Sequence, residues 1–303
     1  MSGAAGAGRV GLLGLGAMGG VMAARLIAAQ RAVVGYDPNP AAVDRLVARG
    51  GRWAASPAAC AQGCAVLIVM VRDAAQVDDA LFGPSGAVSA LTPGSTVWLA
   101  STVPPACATQ LEAQLLEHGL LCLDGPVSGG IAGAAAGTLT VICSGSRSAR
   151  AAVQPLLPIL AQSTFVVGER AGAASRAKMI NQMLTATHIA ATAEALTLAR
   201  SAGLDADLVY RIICASAGTS RAFEVRAPQM LAGDFATGPA LDVFRKDLAI
   251  VLDEAKRLRS PTPIAGVAAR VFDFAAEREG GECPDAVLIR TYARAAASSE
   301  AFP

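Results

Sequence analysis

Residues 11–19 read GLLGLGAMG, and the meaning of this stretch decides the fold. Three glycines, Gly14, Gly16 and Gly19, follow the spacing G-x-G-x-x-G between the β-rich run RVGLLG and a long Ala/Met/Leu run. Glycine ordinarily weakens strands and helices alike. At a strand-to-helix junction each of the three has a use. Gly14 permits a tight turn, Gly16 lets the backbone approach a pyrophosphate, and Gly19 permits close packing of helix on strand. The unpaired amides of the helix start then face the phosphate charge. Close packing alone is the other use of such a pattern.

The next apolar run, AVVGYD, ends at Asp37, where an acidic side chain is placed to receive ribose hydroxyls. Its carboxylate would repel a 2′-phosphate, and the following Pro-Asn-Pro offers no arginine to receive one. NAD is therefore favoured over NADP.

Outward from the loop, short β-rich runs alternate with helix-like segments: AMGGVMAARLIAA, AVVGYD, PAAVDRLVARG, AVLIVMV, STVWLAS, a helix from about 105 to 118, and LCLDGPV. TLTVICSG, a helix from about 148 to 160, and STFVVG continue the pattern. Such alternation predicts an α/β domain of the Rossmann kind, a doubly wound parallel sheet covered on both faces. After Gly168 the strands stop, and helical patterns occupy 173–202, 206–215, 244–259, 264–279 and 285–297. The expected division is a dinucleotide-binding domain over 1–169 and an all-α substrate and oligomerisation domain over 170–303.

The totals exclude several classes. The net charge of +1 and the absence of a basic stripe with interleaved aromatics argue against nucleic acid. Seven scattered cysteines are expected as reduced core thiols, and with only two histidines no metal site is expected. The apolar stretch 173–199 carries Arg176, Lys178, Asn181, Gln182, His188 and Glu194, so it reads as a buried helix and no membrane span is expected. The expected compartment is the cytoplasm.

In GAASRAKMINQML, Lys178 and Asn181 are three apart, which on a helix puts them on one face with Gln182 alongside. An ammonium and an amide would then address one ligand, although a lysine that snorkels to solvent satisfies the same spacing.

Four ordered motifs resemble the β-hydroxyacid dehydrogenase family, to which 3-hydroxyisobutyrate dehydrogenase belongs: GLLGLGAMGGVMAARL, DGPVSGG, GAASRAKMINQ and FRKDL. The resemblance extends over nearly the whole chain. It implies that Lys178 is the catalytic lysine and Asn181 an amide that holds the substrate, with Ser128, Gly129 and Gly130 binding its carboxylate. It further implies that Lys246 closes over substrate and nicotinamide with Asp247 beside it. Cofactor contacts are implied for Gly14, Leu15, Gly16, Ala17, Met18, Gly19, Asp37, Val71, Arg72, Thr102, Lys246 and Asp247. Arg25 stands where many members have Asn, beyond the phosphate turn, with little effect expected.

The lysine role agrees with the chemistry. An alcohol losing hydride to a nicotinamide must also lose its hydroxyl proton, so a base has to lie within hydrogen-bond reach. An amine acts so only if its pKa falls by about three units from its model value, through burial and the positive nicotinamide ring.

The segment ASAGTSRAFEVRAPQMLAGDFATGPALDVFRKDLAIV resembles the L-threonate dehydrogenase-like members of the family, which implies a four-carbon sugar acid oxidised at C2 with NAD. Arg221 departs from the bulky aromatic expected there. 3-Hydroxyisobutyrate, tartronate semialdehyde reduction, an imine reductase and a non-catalytic dinucleotide-binding module are the alternatives. Retention of Lys178 and Asn181 argues against the last two. The family resemblance and the apolar length of the helix after Ala173 predict a homodimer or homotetramer.

Overall fold

The computed structural model describes residues 8–297, with side chains to residue 294. Residues 1–7 and 298–303 of the two expected domains lie outside the described residues. The chain divides into two compact units, the first ending at Lys178 and the second starting at Met179. The expected division after residue 169 precedes this point.

The first unit is built from β1 (Arg9–Leu13), α1 (Gly19–Ala28), β2 (Val33–Tyr36), α2 (Pro40–Val47), β3 (Arg52–Trp53), α3 (Pro57–Ala61), β4 (Cys64–Val69), α4 (Ala74–Phe82), β5 (Thr96–Leu99), α5 (Pro105–Glu117) and β6 (Leu121–Asp124). It continues through β7 (Val127–Ser128), α6 (Gly130–Ala136), β8 (Leu139–Gly145), α7 (Arg147–Val153), α8 (Leu157–Leu160) and β9 (Ala161–Gly168). The sheet runs β3-β2-β1-β4-β5-β6-β8-β7, and β9 pairs β8. β1 pairs parallel with both β2 and β4, and the strand order reverses about β1, which leaves the C-terminal ends of β1 and β4 as the crevice where α/β sheets bind ligands.

Side chains alternate across the sheet because successive Cβ atoms point to opposite faces. Leu12, Ile68, Trp98 and Leu123 join a core on one side, while Leu13, Leu67, Val69, Val97 and Leu99 join one on the other. Each fully buried leucine contributes about 2 kcal/mol, so the near-continuous apolar runs only repay themselves with helices on both faces. Asn39, Ser56 and Asp73 accept hydrogen bonds from Ala41, Ala59 and Gln76 amides, capping α2, α3 and α4.

Two local readings are corrected. β8 runs antiparallel to both β6 and β7, whereas the alternation predicts a wholly parallel sheet. β6 continues through Gly125-Pro126 into β7, and the chain then turns back through the short α6, a connection shorter than the crossover of about a dozen or more residues that a parallel return requires. The helix expected over 148–160 is interrupted by a 3-10 turn at Gln154–Leu156. Pro155 and Pro158 each remove an amide that a continuous helix needs.

The second unit is helical. It comprises α9 (Ala173–Ser201), which runs through the division, α10 (Ala206–Cys214), α11 (Arg221–Ala232), α12 (Leu241–Leu258), α13 (Pro263–Glu279) and α14 (Leu288–Ala297). Ala186, Ile189, Ala193 and Leu196 of α9 share a core with Phe244 and Leu248 of α12 and with Ala268, Phe272 and Ala275 of α13. The Phe244 and Phe272 rings lie 5.3 Å apart. Helix α11 is not marked by apolar periodicity and carries Pro228 internally. Ser220 starts it, its hydroxyl accepting from the Phe223 amide. Among the described residues no helix is long and apolar enough to cross a membrane, and no group of three or more His, Cys, Asp or Glu could hold a metal ion.

Candidate active site

The glycine loop is built as its spacing requires. Gly14 has φ +89°, and its amide donates to Tyr36 O at 2.9 Å, tying the turn to β2. A Cβ on Gly14 would collide with Met70 O, and one on Gly19 with Gly14 O. A Cβ on Gly16 would meet nothing within 4 Å. Gly16 and Ala17 are exposed, Met18 is half-buried, and no side chain caps the N-terminus of α1. An accessible, uncapped helix start beside open space is what a pyrophosphate needs.

Asp37 anchors this loop. Its Oδ2 accepts from the Leu15 amide at 2.7 Å and its Oδ1 from the Asn39 amide at 2.8 Å, while the side chain of Leu15 is buried. Remaining lone pairs on a half-exposed carboxylate suit ribose hydroxyls. These features fit a dinucleotide. A cavity of about 150 Å³ adjoins the loop, bordered by Gly16, Ala17, Gly20, Arg45 and Arg49. The two arginines come from α2 and its C-terminal end, beyond the Pro-Asn-Pro segment.

At the next strand ends, the Val71 amide donates to Ser101 Oγ at 2.8 Å, and that hydroxyl donates to Val71 O at 2.9 Å. Ser101, which the sequence reading passed over, thus joins the segment bearing Val71 and exposed Arg72 to the segment bearing half-buried Thr102. Arg25 donates through Nε to Ile159 O at 3.3 Å, holding α1 to α8 rather than approaching the glycine loop.

The DGPVSGG segment forms the end of β6, the short strand β7 and the start of α6. Ser128 is half-buried and pairs with Thr140 of β8, and Gly129 and Gly130 are exposed with φ +128° and +63°. Asp124, at the head of the motif, is fully buried. Its Oδ2 accepts from Gly172 N at 2.8 Å, Ser175 N at 3.0 Å and Ser144 Oγ at 3.1 Å, and its Oδ1 accepts from Ser175 Oγ at 2.7 Å. Ser144 Oγ in turn accepts from Ala174 N at 3.0 Å. The amides of Gly172, Ala174 and Ser175 at the start of α9 are thereby satisfied, and a carboxylate at a helix start contributes up to about 2 kcal/mol in such buried geometry. Lys178 follows on the same helix, 5% exposed.

The second unit holds the remaining candidates as one chain of contacts. Asn181 Nδ2 donates to Gln182 Oε1 at 3.1 Å, Gln182 Nε2 donates to Asp247 Oδ2 at 2.6 Å, and Lys246 Nζ lies 2.8 Å from Asp247 Oδ1. Asp247 is 2% exposed, so it is a buried partner of Gln182 and Lys246. Arg221 points to solvent and pairs with Glu224 at 3.3 Å.

Known proteins resemble this chain over nearly its whole length. Residues 9–168 match the family model described as the NAD binding domain of 6-phosphogluconate dehydrogenase, and residues 172–292 match the model for the NAD-binding region of NADP-dependent 3-hydroxyisobutyrate dehydrogenase. The L-threonate dehydrogenase of Cupriavidus necator is 41% identical over 93% of this chain and 95% of its own. A solved 3-hydroxyisobutyrate dehydrogenase from Salmonella typhimurium superposes with a TM-score of 0.86 at 38% identity, covering 93% of this chain and 99% of that one. Psf3, solved with NADP+ and 2-OPP, gives a TM-score of 0.86 at 29% identity, with coverage of 93% and 99%. With a nicotinamide-dinucleotide-binding unit followed by the helical unit of these relatives, the chain belongs to the β-hydroxyacid dehydrogenase family of oxidoreductases.

Proposed function

We propose that this chain oxidises a four-carbon sugar acid, L-threonate, at C2 to the corresponding 2-oxo acid, with NAD as acceptor. The observation carrying this reading is the near-full-length similarity to an L-threonate dehydrogenase together with a buried lysine at position 178. A bound nicotinamide would supply the acceptor for the hydride that leaves C2. Lys178 Nζ takes the C2 hydroxyl proton, and in the reverse direction returns it to the forming alkoxide.

Ser128, Gly129 and Gly130 bind the substrate carboxylate, supported by the exposure of Gly129 and Gly130, whose backbone offers amides to an anion. Asn181 orients the substrate without adding charge, and Lys246 contacts substrate and nicotinamide. The cofactor is held by Gly14, Leu15, Gly16, Ala17, Met18, Gly19, Asp37, Val71, Arg72 and Thr102. Asp37 supports NAD over NADP through repulsion of a 2′-phosphate.

The enzyme works as a homodimer or homotetramer in the cytoplasm. Exposed Ile180, Leu184 and Leu198 on α9, with Leu208 and Ile212 on α10, support assembly, and seven free thiols suit a reducing compartment. A light-scattering mass of one 30.5 kDa subunit would refute assembly.

The deciding experiment is NAD reduction with L-threonate, D-threonate, D-erythronate, D-glycerate and 3-hydroxyisobutyrate. L-Threonate is expected to give the highest kcat/KM. Turnover of 3-hydroxyisobutyrate alone overturns the substrate assignment.

A further inference from the structure

We propose that Asp124 is a positioning residue for the Lys178 amine, an inference that rests on the acid–base reading of Lys178. The buried carboxylate ties three segments together. Its own strand end leads within four residues to Ser128, Ser144 faces it across the β6–β8 pair, and Gly172 and Ser175 belong to the entry and first turn of α9. The strand end is itself immobilised, because Trp98 Nε1 donates to Gly125 O at 2.8 Å and a Cβ on Gly125 would collide with the indole.

Ser175 and Lys178 are three apart on α9 and so share a face. The hydroxyl bonded to Asp124 Oδ1 therefore sits one turn before the amine. Three hydrogen bonds from Gly172 and Ser175 to one carboxylate fix where α9 starts and how it is rotated about its axis. Those two quantities set the depth and direction of the Lys178 side chain relative to the Ser128 loop. A capping residue supplied from elsewhere on α9 would stabilise the helix equally but leave its register against β6 unspecified.

The test is Asp124→Asn, which keeps side-chain size but turns one acceptor into a donor facing other donors. For the hydroxy acid turned over fastest, kcat per dinucleotide-binding site, dinucleotide Kd, Tm and the solvent isotope effect on kcat are measured. Leu115→Ala, a buried position on α5, provides a destabilised control. Because a displacement of about 1 Å can cost up to about 100-fold in rate, kcat per site is expected to fall at least about tenfold in Asp124→Asn while Kd stays within about twofold. The solvent isotope effect should rise as proton transfer becomes limiting.

A kcat per site within about threefold of the parent, the scale of an unperturbed geometry, overturns the inference, as does an equal loss in Leu115→Ala at matched Tm. If Asp124→Asn does not fold, Ser144→Ala decides, since it removes the hydroxyl between Asp124 and Ala174 N while keeping the carboxylate: a lowered kcat with unchanged Kd supports the inference, and an unchanged kcat overturns it. Lys178→Ala in the same assay separates the two readings. If it retains activity the acid–base role fails, whereas its loss beside an active Asp124→Asn removes only the positioning role.

Discussion

The Leu15 amide donates to Asp37 Oδ2 at 2.7 Å, so the residue proposed to receive the ribose also holds the turn proposed to receive the pyrophosphate. Hydrogen bonds to charged groups contribute about 1.5–3 kcal/mol. Asp37→Ala should therefore weaken NAD+ binding by about tenfold or more, by the same scale. It should also narrow the proposed preference for NAD over NADP, since the carboxylate's repulsion of a 2′-phosphate disappears while Arg45 and Arg49 remain on the adjoining cavity. Fluorescence titration with both dinucleotides measures this; an NAD+ Kd unchanged within twofold would contradict it.

The glycines of the loop separate folding from binding. Gly16 borders open space, so Gly16→Val should leave Tm close to the parent while lowering dinucleotide affinity at least about tenfold, because the side chain occupies the room a pyrophosphate needs. Gly14→Ala meets a φ of +89° and a collision with Met70 O, and should cost at least about 1–3 kcal/mol of stability. Paired melts and titrations should show opposite phenotypes. Equal loss of Tm in both variants would sink this distinction.

Lys178→Ala should retain NAD+ binding and lose at least about a hundredfold in turnover, the lower range for general acid–base catalysis. The buried position favours a replacement that leaves the surrounding helix in place, so circular dichroism should match the parent. Turnover within threefold of the parent removes Lys178 from the chemistry.

Alkaline pH should destabilise the fold through its thiols. Burial pushes Cys60 up to about 12 and Cys64 and Cys143 to about 11, and it raises Cys122 and the Tyr292 phenol as well. An unfolded thiol ionises near 9.0. The folded state keeps the neutral form, so this stabilisation is complete below pH 9 and is lost as pH rises toward 11–12. Tm should therefore drop above pH 9, less steeply in Cys60→Ala. Alkylation at pH 8 should reach Cys107, Cys214 and Cys283 in the native protein, and all seven cysteines only after unfolding. Rapid native labelling of Cys60 or Cys122 would show that burial does not control these thiols.

The sequence alone marks the glycine loop, the acidic end of β2, the strand–helix alternation and the change to helices after Gly168, because each depends on neighbours a few residues apart. It does not mark α11, whose start is set by Ser220 and whose interior carries Pro228, since its amphipathic pattern is too weak to stand out. Nor does it show that β8 reverses, which follows from the short connection through α6 between β7 and β8.

The linkages around the candidate catalytic groups are of another kind. Asp124 meets Gly172 and Ser175 across separations of 48 and 51 residues, and Gln182 meets Asp247 across 65. Local sequence determined that this chain would present a glycine turn between β1 and α1, an acidic side chain just after β2 and a lysine on a long helix. Only the tertiary structure decided which buried carboxylates would hold that lysine's helix and Lys246 in place. Hydrogen bonds between distant segments are selected by how the sheet and helices pack, and no periodicity along the chain encodes them.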